Sequence, residues 1–325
     1  MNGRPSLLAI FISTFFLCAF LVSGRGMPWV DAGRQIANVN ADRLTGDTLT
    51  VVTYNMLHGY GSRVNDATLE ERLQLLAAGI AEAKPDVVIL QEASVTPGRH
   101  GNVAERLRDS LNERLRGEGI SYNSVFAMAN GSRLIGFFEG SAILSRFQIL
   151  SADSLVYEAQ AFLPPERRIA LRARIAAGGE AGASSVEIVG THLTNTEARR
   201  KGRLKRTLQA EELAAWFRSE QEDEPVLRVI GGDFNDTPGS DTVRSMLASG
   251  ARDAWSEGPG FTALSGSLTD PNAAADARID YLFVHGRAAS VERARPFLGM
   301  PFPRQGDGAL WASDHIGVQA SIRLR

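Results

Sequence analysis

The sequence predicts a layered fold of the α/β or α+β class, and three observations point there. Short β-branched apolar runs recur along the chain as strand signals. Apolar residues at helical spacing stand between several of them. Strand-like runs also end repeatedly on a polar or ionisable residue. Alternation of this kind argues for sheets layered with helices. The chain has 325 residues, room for one large domain or two ordinary ones. Its 44% hydrophobic and 22% charged content is that of a globular protein and argues against disorder. A formal net charge of −2 argues against binding nucleic acid by bulk electrostatics and leaves only a local basic patch to do so.

The N-terminus reads as a targeting segment. Met1-Asn2-Gly3-Arg4 supplies positive charge, Leu7 to Val22 is almost unbroken apolar sequence, and Val22-Ser23-Gly24 offers small residues for cleavage. The run is slightly long for a signal peptide and slightly short for a spanning helix. Residues 1–24 are therefore expected to be a signal peptide or an N-terminal membrane anchor. Either would put the remainder outside the cytoplasm, in the periplasm, in the medium or anchored facing outward. The single cysteine, Cys18, lies in this run, so the rest of the chain has no disulfide. Residues 25–46 are polar and unpatterned and are expected to be a linker. No second linker and no repeat follows, so 47–325 reads as one domain.

Within it, Leu49-Thr50-Val51-Val52-Thr53-Tyr54-Asn55 reads as a strand ending on an amide. Leu69, Leu73, Leu76 and Ile80 form a helical stripe that ends before Lys84-Pro85. Val87-Val88-Ile89-Leu90-Gln91-Glu92 is a strand ending on a carboxylate, and Val103, Leu107, Leu111 and Leu115 form a second helical stripe. Pro164-Pro165 and the glycines from Gly178 to Gly182 mark turns. Val186 to Asn195 is a strand carrying His192, and Arg278 to Val284 one carrying Asp280. Ser313-Asp314-His315-Ile316-Gly317-Val318 reads as the last.

The most informative run is Gly231-Gly232-Asp233-Phe234-Asn235-Asp236-Thr237-Pro238, after the strand signal Pro225 to Ile230. If the extended geometry continues, Asp233 and Asn235 point the same way. A carboxylate beside an amide suits a phosphoester near a hard metal ion: one binds metal or a proton, the other donates to an oxyanion. The alternative is a turn with an Asx cap on the following helix. Eight such residues at successive strand ends look like one convergent site.

These motifs, in this order, resemble the endonuclease/exonuclease/phosphatase superfamily, with its deoxyribonuclease-I-like fold. The resemblance rests on Asn55, Gln91-Glu92, the His192 strand, Gly232-Asp233-Phe234-Asn235, Ile279-Asp280-Tyr281 and Ser313-Asp314-His315. Gly140-Ser141-Ala142-Ile143-Leu144-Ser145-Arg146 is similar to a further family strand. The likeness runs from Leu49 onward. It implies an α+β, four-layer α/β/β/α sandwich of two packed, mostly antiparallel sheets flanked by helices, with the site at one end.

The resemblance also implies roles. Glu92 is expected to hold the metal, since a lone carboxylate at the end of an apolar strand is costly unless paired or bound. Asn55 and Asp314 are expected to join it, and oxygen ligands suit Mg²⁺, with Mn²⁺ the other choice. Adjacent strand residues face opposite ways, so Asp280, rather than Asp314, is the expected partner of His315. A carboxylate on one imidazole nitrogen fixes its tautomer. His315 would serve as general base or phosphate contact. His192 would donate to the leaving oxygen or hydrogen-bond a phosphoryl oxygen, held by Glu139. Asp233 and Asn235 would be the acid–base or metal carboxylate and the transition-state donor, and Asn195 a phosphate contact.

The basic cluster Arg199, Arg200, Lys201, Arg203, Lys205 and Arg206 reads as a site rim or as one solvated helix face. The apolar run Pro296 to Pro303 reads as a lipid-facing loop or a loop folded on the core. The expected activity is an exported metal-dependent phosphodiesterase. Its partner is a nucleic acid or a phospholipid headgroup of the sphingomyelin kind, with possible membrane association through the N-terminal segment. A non-catalytic binding module of the same fold is the rival, and its mark would be a broken site.

Overall fold

The computed structural model describes residues 35–324, apart from 61, 133, 163–164, 179–183, 219–226, 257–259, 287–288 and 305–307. The targeting segment 1–24 and most of the 178–182 glycine turn lie outside the described residues. Among the described residues no helix is long and apolar enough to cross a membrane.

In chain order the main elements are β1 (Gln35–Ala37), β2 (Thr48–Asn55), α1 (Arg63–Ala83), β3 (Val87–Thr96), α2 (Val103–Leu115), β4 (Asn123–Ser132), β5 (Phe137–Ser145), β6 (Ile149–Val156), β7 (Ile169–Ala177) and β8 (Ser184–His192). A two-stranded ribbon, β9 (Arg199–Arg200) and β10 (Arg203–Leu204), leads into α3 (Lys205–Arg218). Then come β11 (Leu227–Asp233), α4 (Asp241–Ala248), β12 (Arg252–Asp253), β13 (Asp280–His285), β14 (Ala289–Phe297) and β15 (Gly317–Leu324).

The first sheet has the order β1-β4-β5-β3-β2-β15-β14 and the second β12-β13-β11-β8-β7-β6. Val51, Ile89 and Ile143 of the first meet Ile188, Val229 and Leu282 of the second in one apolar layer. On the outer face of the first sheet, Val52, Val88, Leu90 and Leu144 pack under α1 and α2. On that of the second, Val189, Ile230 and Phe283 pack under α3 and α4. Both faces of the central strands are covered, which is why they read as continuous apolar runs rather than alternating ones. The molecule is the α/β/β/α sandwich that the motifs imply.

Both helical stripes form as read. Leu69, Leu73, Leu76 and Ile80 are buried on α1, which Ser62 caps through Asn65 N at 3.1 Å. The helix closes on Lys84 in the left-handed region (φ 47°), because Pro85 disfavours a continued helix in the residue before it. Val103, Leu107, Leu111 and Leu115 are buried on α2.

Two pairings are parallel, β2 with β3 and β8 with β11, and each is joined by a helical crossover, α1 and α3 respectively. A parallel pair brings two carboxyl ends together. Asn55 pairs with Gln91 and His192 with Asp233, so four chemistry-bearing strand ends meet at one end of the sandwich.

The two glycines before Asp233 serve this meeting. A Cβ on Gly231 would lie 2.7 Å from Ile89 Cδ1 of the opposite sheet, and one on Gly232 only 2.1 Å from the Thr191 carbonyl oxygen. The first glycine lets the sheets close, and the second lets β11 lie against β8. Gly232→Ala is expected to cost about 1–3 kcal/mol of stability, as overpacking does, and to lower the urea midpoint without changing its slope.

The expected linker 25–46 is not one over its described part. β1 pairs with β4, and Leu44 is buried, with its backbone bonded to Ala176 and Gly178. Asn123 Oδ1 accepts from Val39 N at 2.6 Å and Asn40 N at 3.1 Å. Main-chain pairing and one distant asparagine anchor this stretch, and neither leaves a periodic signal.

Candidate active site

Asn55 is the centre of the cluster. It is fully buried, and its Nδ2 donates to Glu92 Oε1 at 3.1 Å and to Asp233 Oδ2 at 3.2 Å, linking the two sheets. Its Oδ1 accepts from Leu57 N at 3.2 Å. Asn55, expected among the metal ligands, thus turns its nitrogen to the carboxylates and gives its oxygen to a turn. It orients two acids. Glu92 reaches it from a β-bulge: the β3–β5 register slips between Leu90 and Ala93, and Glu92 adopts φ 56°. The bulge aims the carboxylate into the site, where a regular strand would alternate it away.

Asp233 accepts from Asn235 N at 2.8 Å, and Asn235 has φ 51°. The extended geometry therefore does not continue past Asp233. The Asx turn is what forms, although Ser240 caps the helix that follows. Asn235 Nδ2 donates to Leu193 O at 2.9 Å, which fastens the end of β8 to the end of β11. Burial, and then the neighbouring Asp280 charge, push the Asp233 carboxyl up to about 7.

Asp280 meets His315 as expected, Oδ2 to Nδ1 at 2.8 Å. The reason differs from simple strand alternation. Ser313 to Ile316 is a loop strapped by Thr262–Leu264: Ile316 N donates to Thr262 O at 2.7 Å and Leu264 N to Asp314 O at 2.9 Å. Thr262 Oγ1 in turn accepts from Asp280 N at 3.1 Å. His315 Nε2 faces Asp233 Oδ2 at 3.8 Å. Burial opposes its charge, but Asp280, with Asp233 and Asp314 beyond, raises it well above the ordinary range, which favours the protonated ring. The Asp314 carboxylate accepts from Ser313 Oγ at 3.3 Å, and burial raises its carboxyl.

His192 is buried, with Nε2 3.4 Å from Asp233 Oδ2. Burial first, then the Arg168 charge, hold it well below the ordinary range, so it is neutral. The expected His192–Glu139 pair does not form. Both line one small cavity, but Glu139 is taken by Arg168 at 3.5 Å and approached by His58 at 3.6 Å, and His192 Nδ1 has no hydrogen-bond partner. A guanidinium outcompetes a neutral imidazole for the carboxylate. Asn195 is exposed beyond the end of β8.

The sequence reading missed three supports. Arg168 bridges Glu139 and Glu166, and Glu166 accepts from Thr194 Oγ1. His58 lies within 3.6 Å of both Glu92 and Glu139. Arg72, only 2% exposed, donates to Met56 O and Leu57 O at 2.9 Å and to Ala312 O at 3.4 Å, tying the loop after Asn55 to the loop before His315. A lone Arg on an apolar helix stripe was the one available signal for Arg72; the other two stand in turns.

The basic cluster is not a single helix face. Arg199 to Leu204 form the β9–β10 ribbon, turning at Lys201 and Gly202 with positive φ, and α3 begins only at Lys205. Arg206 is buried against Glu197 and Asp236, and Arg203 pairs with Glu211, while Arg199, Arg200 and Lys201 are exposed. The apolar run 296–303 is folded on the core only in part, with Pro296 and Pro303 exposed. Phe297 meets Tyr54 edge-on at 5.9 Å and Leu298 packs on Gly79, leaving Met300 exposed.

A two-sheet sandwich with acid, amide and imidazole groups at one end defines a phosphoester hydrolase. The sequence matches the Endonuclease/Exonuclease/phosphatase family over residues 52–315, and the chain belongs to that family. Its fold is similar to an endonuclease/exonuclease/phosphatase family protein of Bacteroides thetaiotaomicron: TM-score 0.65, 18% identity, covering 86% of this chain and 95% of the other. It is also similar to a mannosyl-6-phosphatase of the same organism, with TM-score 0.60, 17% identity and 84% and 99% covered. A third is D. rerio TDP2 complexed with single-strand DNA product, with TM-score 0.56, 17% identity and 86% and 100% covered. No curated protein matches the sequence.

Proposed function

We propose that the protein is an exported, divalent-cation-dependent phosphodiesterase acting on nucleic acid. One observation carries the hydrolase reading: a continuous buried line of groups, Asp280–His315–Asp233–Asn55–Glu92, with contacts of 2.8, 3.8, 3.2 and 3.1 Å. A binding module has no reason to keep such a line. Export is supported by the apolar run Leu7 to Val22.

The donor set fits a hard cation. Glu92 and Glu139 converge, and Asp280 Oδ1 is buried with no hydrogen-bond partner. Glu92, with Asp314 nearby, would hold the ion. Bound there, Mg²⁺ or Mn²⁺ would supply charge stabilisation to phosphoryl oxygens. The chain's own residues do the rest. His315, held protonated by Asp280, offers Nε2–H to a phosphoryl oxygen. Asp233, with its carboxyl raised to about 7, takes a proton from the attacking water. Neutral His192 stands against Asp233 as the second proton carrier, on the leaving side. Asn235 keeps one amide proton for the phosphoryl group beside its bond to Leu193.

Nucleic acid is favoured over a lipid headgroup by position. The exposed Arg199-Arg200-Lys201 turn follows His192 by seven residues, and its neighbour Arg206 is tied to Asp236 beside the Asp233 turn. On this reading the turn would lie toward the site's rim and draw in a polyanion. The apolar run that would suit a lipid surface gives Phe297 to the core and leaves Met300 as its one large exposed apolar side chain. Of the solved structures with this fold, one is in complex with single-strand DNA product and another is described as a mannosyl-6-phosphatase.

Plasmid nicking by residues 25–325 tests the reading. Nicking with Mg²⁺ or Mn²⁺, abolished by chelator, is expected. A folded, cation-binding protein that leaves plasmid intact but cleaves sphingomyelin vesicles would move the substrate to lipid.

A further inference from the structure

The backbone N–H of Tyr60 donates to His58 Nδ1 at 3.1 Å. A ring nitrogen that accepts carries no proton, so the proton of the neutral ring is on Nε2. That nitrogen lies 3.6 Å from Glu92 Oε2 and 3.6 Å from Glu139 Oε2. The ring cannot easily turn away. It meets Phe137 edge-on at 5.1 Å, Tyr60 stacks on the same Phe137 at 4.6 Å, and His58's own N–H donates to Glu92 Oε2 at 3.3 Å. Turning the ring over would also leave the Tyr60 N–H without its acceptor.

We propose that His58 is a positioning residue: an Nε2–H fixed between Glu92 and Glu139, within electrostatic reach of both rather than hydrogen-bonded to either, that holds them in one arrangement for a hard divalent cation and does not itself ligate the ion. The proposal rests on the reading that Glu92 binds a cation. Ligation through Nε2 would need that nitrogen's lone pair. With Nδ1 already accepting, the ring would have to lose its one N–H proton and become an imidazolate, or abandon Tyr60. Two carboxylates brought in from β3 and β5 repel each other, and the positive edge of a fixed ring N–H between them offsets that repulsion. The site then stays all-oxygen, suited to Mg²⁺ and Mn²⁺, although the three side chains on paper resemble the nitrogen–oxygen set of a zinc site.

Two measurements test this. The first is a long-range ¹H–¹⁵N spectrum of metal-free protein, with His58 assigned by loss of its signals in His58→Gln. The Nε2–H tautomer is expected, and it persists when Mg²⁺ or Zn²⁺ is added. An Nδ1–H tautomer, or loss of the Nε2–H signal on adding Zn²⁺, overturns the proposal. The second is Mn²⁺ affinity by calorimetry. His58→Gln, whose amide places an N–H near the same point, is expected within about threefold of wild type, and His58→Ala about 10–100-fold weaker, the usual cost of a lost outer partner. Unchanged affinity in His58→Ala overturns the role of His58 alone. A wild-type protein that binds no Mn²⁺ overturns the cation reading and the proposal with it.

Discussion

His315→Ala is expected to lower the hydrolysis rate by about 10²–10⁴-fold, the scale of one acid–base or charged transition-state group. His315 is where two carboxylates are answered: Asp280 at 2.8 Å on Nδ1 and Asp233 at 3.8 Å on Nε2. Its protonated ring supplies the site's donor toward a phosphoryl oxygen, and alanine removes it while leaving both acids buried. Part of any loss could then come from weakened folding. His315→Gln separates the two effects, because its amide places an N–H near the Nε2 position but carries no charge. Both variants are expected to melt as cooperatively as wild type and to turn over slowly at saturating substrate. Asp280→Asn should be nearly as slow, since an amide in its place no longer stabilises the charged ring. Full activity in His315→Gln would end the assignment of a charged role to this histidine.

Asp233→Asn is expected to make the metal-free protein more stable above neutral pH and to flatten its pH dependence. The native carboxyl holds its proton to about 7, whereas an unfolded aspartate releases it near 3.9. Between those values the native state binds the extra proton. Stability is therefore greatest below about 4 from this group and is lost as pH rises through about 7. The whole loss is of order 4 kcal/mol at most. Asparagine has nothing to lose. In chelator, the melting temperatures of wild type and variant should approach each other near pH 4 and separate by pH 8, with the variant higher and inactive. Parallel curves would mean that Asp233 does not carry the burial penalty. A group that weakens the empty fold and is kept in a buried place is the usual cost of a working site.

Most of the fold was legible because both helical stripes are strict and the central strands are covered on two faces. Leu69, Leu73, Leu76 and Ile80 could face only a sheet, and Val87 to Leu90 could only be buried. The site's membership was legible through motif order: Asn55, Glu92, His192, Asp233, Asp280 and His315 do meet. Their orientations were not. Asp233 and Asn235 part because a left-handed residue follows the strand, and Glu92 turns inward on a bulge; neither is visible to a period-two reading. Glu139 was placed at the site by its strand but given the wrong partner, because Arg168 lies in a proline-flanked turn whose path cannot be read locally. Residues 35–46 read as a linker because their anchors, Asn123 and Ala176, lie far along the chain.

One feature of the first sheet bears on when the chemistry can begin. β15 is hydrogen-bonded between β2 and β14, and the loop that leads into it carries Asp314 and His315. Chains emerge from the ribosome N-terminal part first. A growing polypeptide has Asn55, Glu92, His192 and Asp233 long before it has the strand that joins β2 to β14. Pairings this distant in sequence form late in folding. A nascent chain therefore carries its reactive groups apart until its last strand has emerged and paired.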